Sequence, residues 1–546
     1  MDIKNIILIL LALVILPSHT KSLYSQSEAD FENIFFGDII KSNNSVRSFE
    51  ITKNNNLLCV QSNHPTFVNF SRGKTQFTFS LITDLTLPNT RSIQFKGDGK
   101  NANLISYTFL GENILGLSTQ STLLQRGPSF YFHMINPDLK ARTNHGHPVS
   151  IFNSRYNDVD YSRIAMVSRE DAKHAAILYL PRTKPNEHTL MKYAVFNADY
   201  SAPIQNEMIF EYASREFNPI DFYISNQEEQ LFITGHYPKS SKGNQVRETS
   251  YYNEIGIHYL KNNHKTTFFI NHPSIFFADV EIYPENEGIL LKGLYTSNVN
   301  NGVEGIYTAR LSKTGEVEWE NFSLFHTLIQ ERINEFQNMQ VINTRLSQYE
   351  TSTFNILEHY KTEDGYISII EFNAIEYRYG GTDMPGSTST IDTYYWSGDV
   401  IVSKVSLQGQ ILWSKIIPKS QRTINDGGYY LSTATYLSDN HLHLFFNDSQ
   451  NNYKDGVYQL SSDHPDFAKF GNTNNTVAHT SINITNGDVQ RKNIIGKAET
   501  KVIFVPKLSL PIKAQNKLFI YAVDGKKHRL GSITFPKTET PESNKE

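Results

Sequence analysis

Residues 306–319 read IYTARLSKTGEVEW, and residues 400–413 read VIVSKVSLQGQILW. Each is an alternating strand, a turn that closes on Gly315 or Gly409, and a second strand that starts with an apolar residue and then a tryptophan, Trp319 or Trp413. Gly409 follows Gly315 by 94 residues, and Trp413 follows Trp319 by the same 94. A related opening, residues 256–260 (GIHYL), lies 49 residues before the matching start at Gly305. Since 94 is twice 47, these spacings fit one unit of 47 to 49 residues. A weaker copy, residues 482–489 (INITNGDV), lacks the tryptophan.

Working outward, the same strand-and-turn texture runs along the chain. Residues 76–82, 441–445, 501–505 and 517–523 alternate or are rich in Val, Ile, Phe and Tyr, the pattern of half-buried strands. Turn dipeptides separate such runs at Asn301-Gly302, Asp364-Gly365, Asp426-Gly427, Asp455-Gly456, Asn486-Gly487 and Asp524-Gly525. Residues 327–341 break the pattern: Leu328, Ile329, Ile333 and Phe336 recur near helical spacing, which predicts a helix laid over a sheet. Units of this length made of four strands are the signature of propeller blades. One small sheet cannot bury both faces, whereas a ring of sheets can. The expected fold is all-β, a β-propeller of about seven or eight four-stranded blades with one helical insertion, each Trp packed between blades. Dividing about 520 mature residues by the unit would give more blades than that, so long loops or an irregular start are required. The expected division is 1–22 signal peptide, 23–150 an amino-terminal β region (first blades or a separate β-domain), 151–536 repeats, and 537–546 a disordered tail.

Composition narrows the class. The chain has 546 residues, 19% charged and 12% aromatic, with a formal net charge of -4. A disordered chain or a polybasic nucleic-acid binder is excluded. Residues 6–16 (IILILLALVIL) are too short to span a bilayer and fit a signal-peptide core, with cleavage expected near Thr20 or Ser25. No later stretch is apolar enough to span, so no transmembrane segment is expected in the mature chain. Cys59 is the single cysteine, so no intrachain disulfide can form; its apolar run LLCV reads as core. Cysteine avoidance and an Asn-rich style suggest a bacterial envelope protein, periplasmic, surface-bound or extracellular.

The G-x-φ-x-W turn after an alternating strand resembles the repeat of PQQ-type β-propellers. The Gly293–Ser297 and Gly305–Tyr307 segments, Asp399, Val402, Lys404, Gly409, Ile411 and Trp413, then Ile417-Pro418-Lys419 and Asn425–Gly428, together resemble a group of uncharacterised exported proteins of Gram-negative bacteria. The resemblance covers about residues 190–530 and implies architecture, not an activity. The cofactor and metal motifs of PQQ enzymes are not recognisable, so no cofactor is expected.

Chemistry is sparse. There is no G-x-S-x-G elbow, H-E-x-x-H, Walker A loop or G-x-G-x-x-G fingerprint. His441 and His443 share one strand face and are candidate metal ligands on a wet, polar face. His145-Gly146-His147-Pro148 reads as a flexible loop, and Asn157–Asp160 with Asp383 as loose calcium-type acidic segments. The stretch 377–390 reads as a long hairpin tip followed by aromatic residues. Arg378, Tyr379, Tyr394, Tyr395 and Trp396 are the candidate ligand-binding residues, able to stack on a glycan or a protein. The reading that follows is a non-enzymatic binding module or scaffold of the cell envelope whose partner is an envelope protein or glycan. The alternative is a secreted hydrolase or lyase acting on polysaccharide or peptide, with its site at the channel mouth.

Overall fold

The computed structural model describes residues 31–536 apart from connecting segments, the longest being 63–76, 121–128, 150–163, 238–250, 339–346 and 380–390. The expected signal segment, the acidic segment 157–160, Asp383 and the tail from 537 lie outside the described residues.

Among the described residues, eight sheets of at least four strands follow one another along the chain, with strand order running in sequence or nearly so. They span residues 45–92, 103–148, 164–213, 217–271, 276–324, 347–424, 434–496 and 503–534. A small three-stranded sheet flanks the second. The eighth borrows a strand from the other end of the chain. Asn33–Phe36 pairs antiparallel with the last strand, Ile34 facing Ile533 and Phe35 facing Ser532.

Consecutive sheets share apolar cores. Leu58 and Val60 share a cluster with Leu104 and Ile114, Leu117 with Ile177, Met191 with Phe232, Ile257 with Leu291, and Leu294 with Ile370. Val402 shares a cluster with Leu444 and Phe445 with Ile533, and Phe519 and Tyr521 pack on Phe49 of the first sheet in a cluster that includes Cys59. The arrangement is therefore propeller-like, and its seams account for the sequence. A strand covered on both faces is apolar throughout, as in Gly288–Thr296, where all nine residues are buried.

The repeat turns lock neighbouring sheets together. Gly315 and Gly409 have φ of +88° and +80°, which glycine adopts without strain. Each also presses on the preceding sheet: a side chain at Gly315 would touch Ile257, and one at Gly409 would collide with Thr308. Trp319 packs on the fifth–sixth seam and Trp413 on the sixth–seventh. The helix runs Thr327–Asn338 and packs Ile329, Ile333 and Phe336 on the fifth–sixth core, with Phe336 stacked on Phe372 at 4.4 Å. Arg332 pins it by donating from Nε to Asp399 at 2.6 Å. Two expectations change. Residues 145–148 are not a free loop, because His145 and His147 lie in short strands paired with Lys96 and Phe132. The strand expected over 501–505 shrinks to Ile503–Phe504, since a short helix ends in Lys501 at φ +61°.

Candidate functional site

The sixth sheet is built on strands of 15, 15 and 16 residues, longer than any other described strand, and its extension carries the hairpin residues singled out above. Pairing puts Glu376 beside Tyr394 and Trp396 between Ala374 and Arg422, so these side chains leave one face. Arg378 lies 4.2 Å from the Tyr394 ring centre and grips Glu376 with Nε and Nη2 at 2.7 and 3.1 Å. Trp396 donates its indole N–H to Glu376 at 3.2 Å. Arg422 sits among three rings, 5.0 Å from Trp396, 5.3 Å from Phe467 and 5.5 Å from Tyr394. Arg378, Tyr394 and Trp396 thus come together. Tyr395 leaves from the opposite face, beside Gly428. Tyr379 ends its strand opposite Ile391, and its side chain lies outside the described residues. Arg422 and Phe467 were missed, for nothing in the sequence ties either to the hairpin.

The wet face expected for His441 and His443 is not there. His443 is buried, because the eighth sheet covers that face. Its Nδ1 is 3.0 Å from His479 Nε2, its Nε2 is 3.0 Å from Ser438 Oγ, and its ring lies 4.7 Å from Phe535. Burial drives His479 well below the usual imidazole range. Among the described residues no cluster of three or more His, Cys, Asp or Glu could hold a metal. Cys59 is buried, which raises its thiol far above the ordinary value.

A different group assembles on the first strands of the fourth, fifth and sixth sheets, which lie side by side. Each of these strands carries a bulge, at Pro219/Asp221, Ala278/Glu281 and Ile356/Glu358. A bulge re-aims side chains and frees backbone donors, and carboxylates take them up. Asp221 accepts from the N–H of Phe222 at 2.7 Å and, across the gap between sheets, from that of Ile282 at 2.9 Å. Asp279, at φ +48°, likewise accepts from Ile356 N of the sixth sheet. Glu281 accepts a proton-donating contact from the Tyr283 hydroxyl. Burial raises all three carboxyls, Asp279 to about 6 and Glu281 to about 7. The charges of Asp279, Asp221 and exposed Glu358 add to the burial effect on Glu281, while Tyr283 opposes it.

Asp221 also lines a cavity of about 560 Å³ between the first strands of the third and fourth sheets. Its wall is mainly apolar, including Met191, Phe210, Phe222 and Phe232, with Asn218, Thr234 and Tyr237 supplying polar groups. A concave, mostly apolar space with a few polar groups and perturbed carboxyls beside it is the general form of a small-molecule or substrate site. Opposite Glu281 on the paired strand, Lys292 is fully buried, its Nζ 3.4 Å from the Tyr366 ring centre and without a hydrogen-bond partner among the described residues. Burial brings its amine down to about 6. The sequence signal for the carboxylates is faint: an Asp alone inside an apolar run, as in Ile220-Asp221-Phe222 and Ala278-Asp279-Val280.

No family model matches the chain, and no curated protein matches it. Among solved structures it is similar to the WD40 domain of SCAP from fission yeast, at 7% identity over 92% of this chain and 94% of that one, with a TM-score of 0.36. It is similar to the polysaccharide lyase Uly1 at 8% identity over 93% and 100%, TM-score 0.35. The α-L-arabinofuranosidase Arb93A from Fusarium graminearum follows at 9% identity over 79% and 91%, TM-score 0.28. These are diverse β-propeller and β-sheet proteins, enzymes and non-enzymes, and at such scores the likeness carries no argument about activity.

Proposed function

We propose that the eight sheets close into one propeller, with the G-x-φ-x-W turns as its PQQ-type repeat, and that the protein is an exported hydrolase of polysaccharides. Its acid–base group is Asp221, Asp279 and Glu281 at the mouth of the central channel. The carrying observation is a carboxyl held to about 7 among two other half-buried carboxyls on adjoining first strands. Glycosidic hydrolysis needs one carboxylic acid to protonate the leaving oxygen and one carboxylate to activate water or attack carbon. Glu281 suits the acid, since a group titrating near the working pH is best poised to give up a proton. The Tyr283 hydroxyl occupies Oε2, leaving Oε1 to carry that proton. Asp221, fixed by two backbone N–H groups, suits the carboxylate. The cavity beside Asp221 offers apolar and aromatic walls for a sugar ring. The export assignment rests on the apolar residues 6–16.

The runner-up, a non-enzymatic module that binds an envelope protein or glycan, is favoured by the arginine–aromatic face of the sixth sheet alone. The two readings part on one assay, the release of reducing ends from a panel of neutral and acidic polysaccharides. The hydrolase reading expects turnover that falls about 100-fold or more in Glu281→Gln, with a rate loss as pH rises through about 7. Absence of cleavage across the panel, or unchanged turnover in Glu281→Gln, would reject it.

A further inference from the structure

We infer that the Arg422 face of the sixth sheet binds the carboxylate of a uronate-bearing saccharide. The first observation is an unanswered charge. A guanidinium stays protonated at any physiological pH. Arg422 is half-buried among Tyr394, Trp396 and Phe467, and its guanidinium has no hydrogen bond or ion pair among the described residues. Its neighbour Arg378 differs, for Glu376 already holds that guanidinium by two hydrogen bonds. Ring contacts offset only part of the desolvation of a cation. The Arg422 fork is therefore left for an anion from outside the chain.

The second observation selects the anion. A planar, forked donor matches a planar carboxylate better than a point-like charge does. Apolar surface flanks the fork: Phe467 is 39% exposed, and Ile424, two residues along the same strand, is 47% exposed. The Tyr394 hydroxyl makes no hydrogen bond among the described residues and adds a free donor and acceptor. A uronate residue satisfies this set together. Its carboxylate meets Arg422, its C–H face rests on Phe467 or Ile424, and its hydroxyls reach Tyr394. The face is distinct from the carboxylates of the first strands. The inference rests on the hydrolase reading only in taking the polymer to be a saccharide.

The test uses the full chain carrying Glu281→Gln, so that binding is read without cleavage, and titrates it with oligogalacturonate by calorimetry at low salt. Binding should weaken about tenfold or more when Arg422→Gln is added, and less when Arg422→Lys keeps the charge but loses the fork. Fully methyl-esterified oligogalacturonate, which has the same rings without the charge, should not bind. Circular dichroism shows that each variant is folded, and Arg422→Lys decides the matter if Arg422→Gln is not. No binding, binding indifferent to Arg422, or equal binding of the methyl ester would overturn the inference. Equal binding of oligoglutamate would also overturn it, in favour of an acidic protein. Binding that depends on Arg422 in a chain that cleaves no polysaccharide rejects the hydrolase reading alone. Cleavage that is indifferent to Arg422, with no Arg422-dependent binding, rejects this inference alone.

Discussion

Glu281 and Lys292 face each other across paired strands of the fifth sheet, and burial pushes both toward their uncharged forms. The lysine amine falls from its ordinary 10.5 to about 6, so the unfolded chain binds a proton that the folded chain refuses. Stability therefore rises with pH between about 6 and 10.5, and at neutral pH this residue opposes folding. Glu281, Glu285, Lys361, His359, Tyr283 and Tyr366 surround it, and none gives Nζ a hydrogen bond. Replacing a buried, unpaired charge-bearing group by an apolar one of similar length is commonly stabilising by about 1–4 kcal/mol. Lys292→Met should accordingly raise the urea midpoint at pH 7 and flatten its dependence on pH between 6 and 10. An unchanged midpoint would mean that Lys292 finds a partner in solution.

At the scale of elements, the repeat turn does two jobs with one glycine. Gly409 supplies a φ of +80° and leaves room for Thr308 of the preceding sheet. A methyl group there offends on both counts, so Gly409→Ala should destabilise by about 2–4 kcal/mol in chemical unfolding. A loss below half of that would show that the seam yields easily. This is why the turns were readable from the sequence: a positive φ, a close approach and a packed Trp each demand a particular residue type at a fixed spacing. The residues behind the family resemblance prove architectural for the same reason. Asp399 takes Arg332 of the helix and the N–H of Lys419, and Lys404 reaches Asp364 and the carbonyl of Ile484. Lys419 itself is buried against Glu371, with Ser397, Ser432 and Thr433 completing the network. The carboxylates of the first strands left no such trace. Asp221 and Asp279 reach the next sheet through bulges, and a bulge breaks the two-residue rhythm by which a strand is recognised. The wet face expected at His443 failed for a related reason, since alternation tells which residues share a face but not what covers it.

At the scale of the molecule, apolar seams join the sheets, and no intrachain disulfide reinforces them. The chain has one cysteine, and it is buried. Among the described residues, eight apolar clusters each join one sheet to the next, and the last joins the eighth sheet to the first. The amino-terminal strand Asn33–Phe36 supplies the outer edge of the eighth sheet, which no local feature of the sequence announces. The proposed closure would also give the functional proposal its geometry, because only a ring turns the first strands toward a common axis where Asp221, Asp279 and Glu281 can meet one substrate. Phe35 stands opposite Ser532 in that pairing, which makes closure directly measurable. In a chain carrying Phe35→Cys and Ser532→Cys, mild oxidation should yield a monomer with one intramolecular disulfide between these positions, located by peptide mass mapping, while Cys59 stays reduced. A closed ring predicts that product with near-complete yield. Two free thiols after oxidation, or only disulfide-linked dimers, would contradict the ring and with it the placement of the carboxylates around one axis.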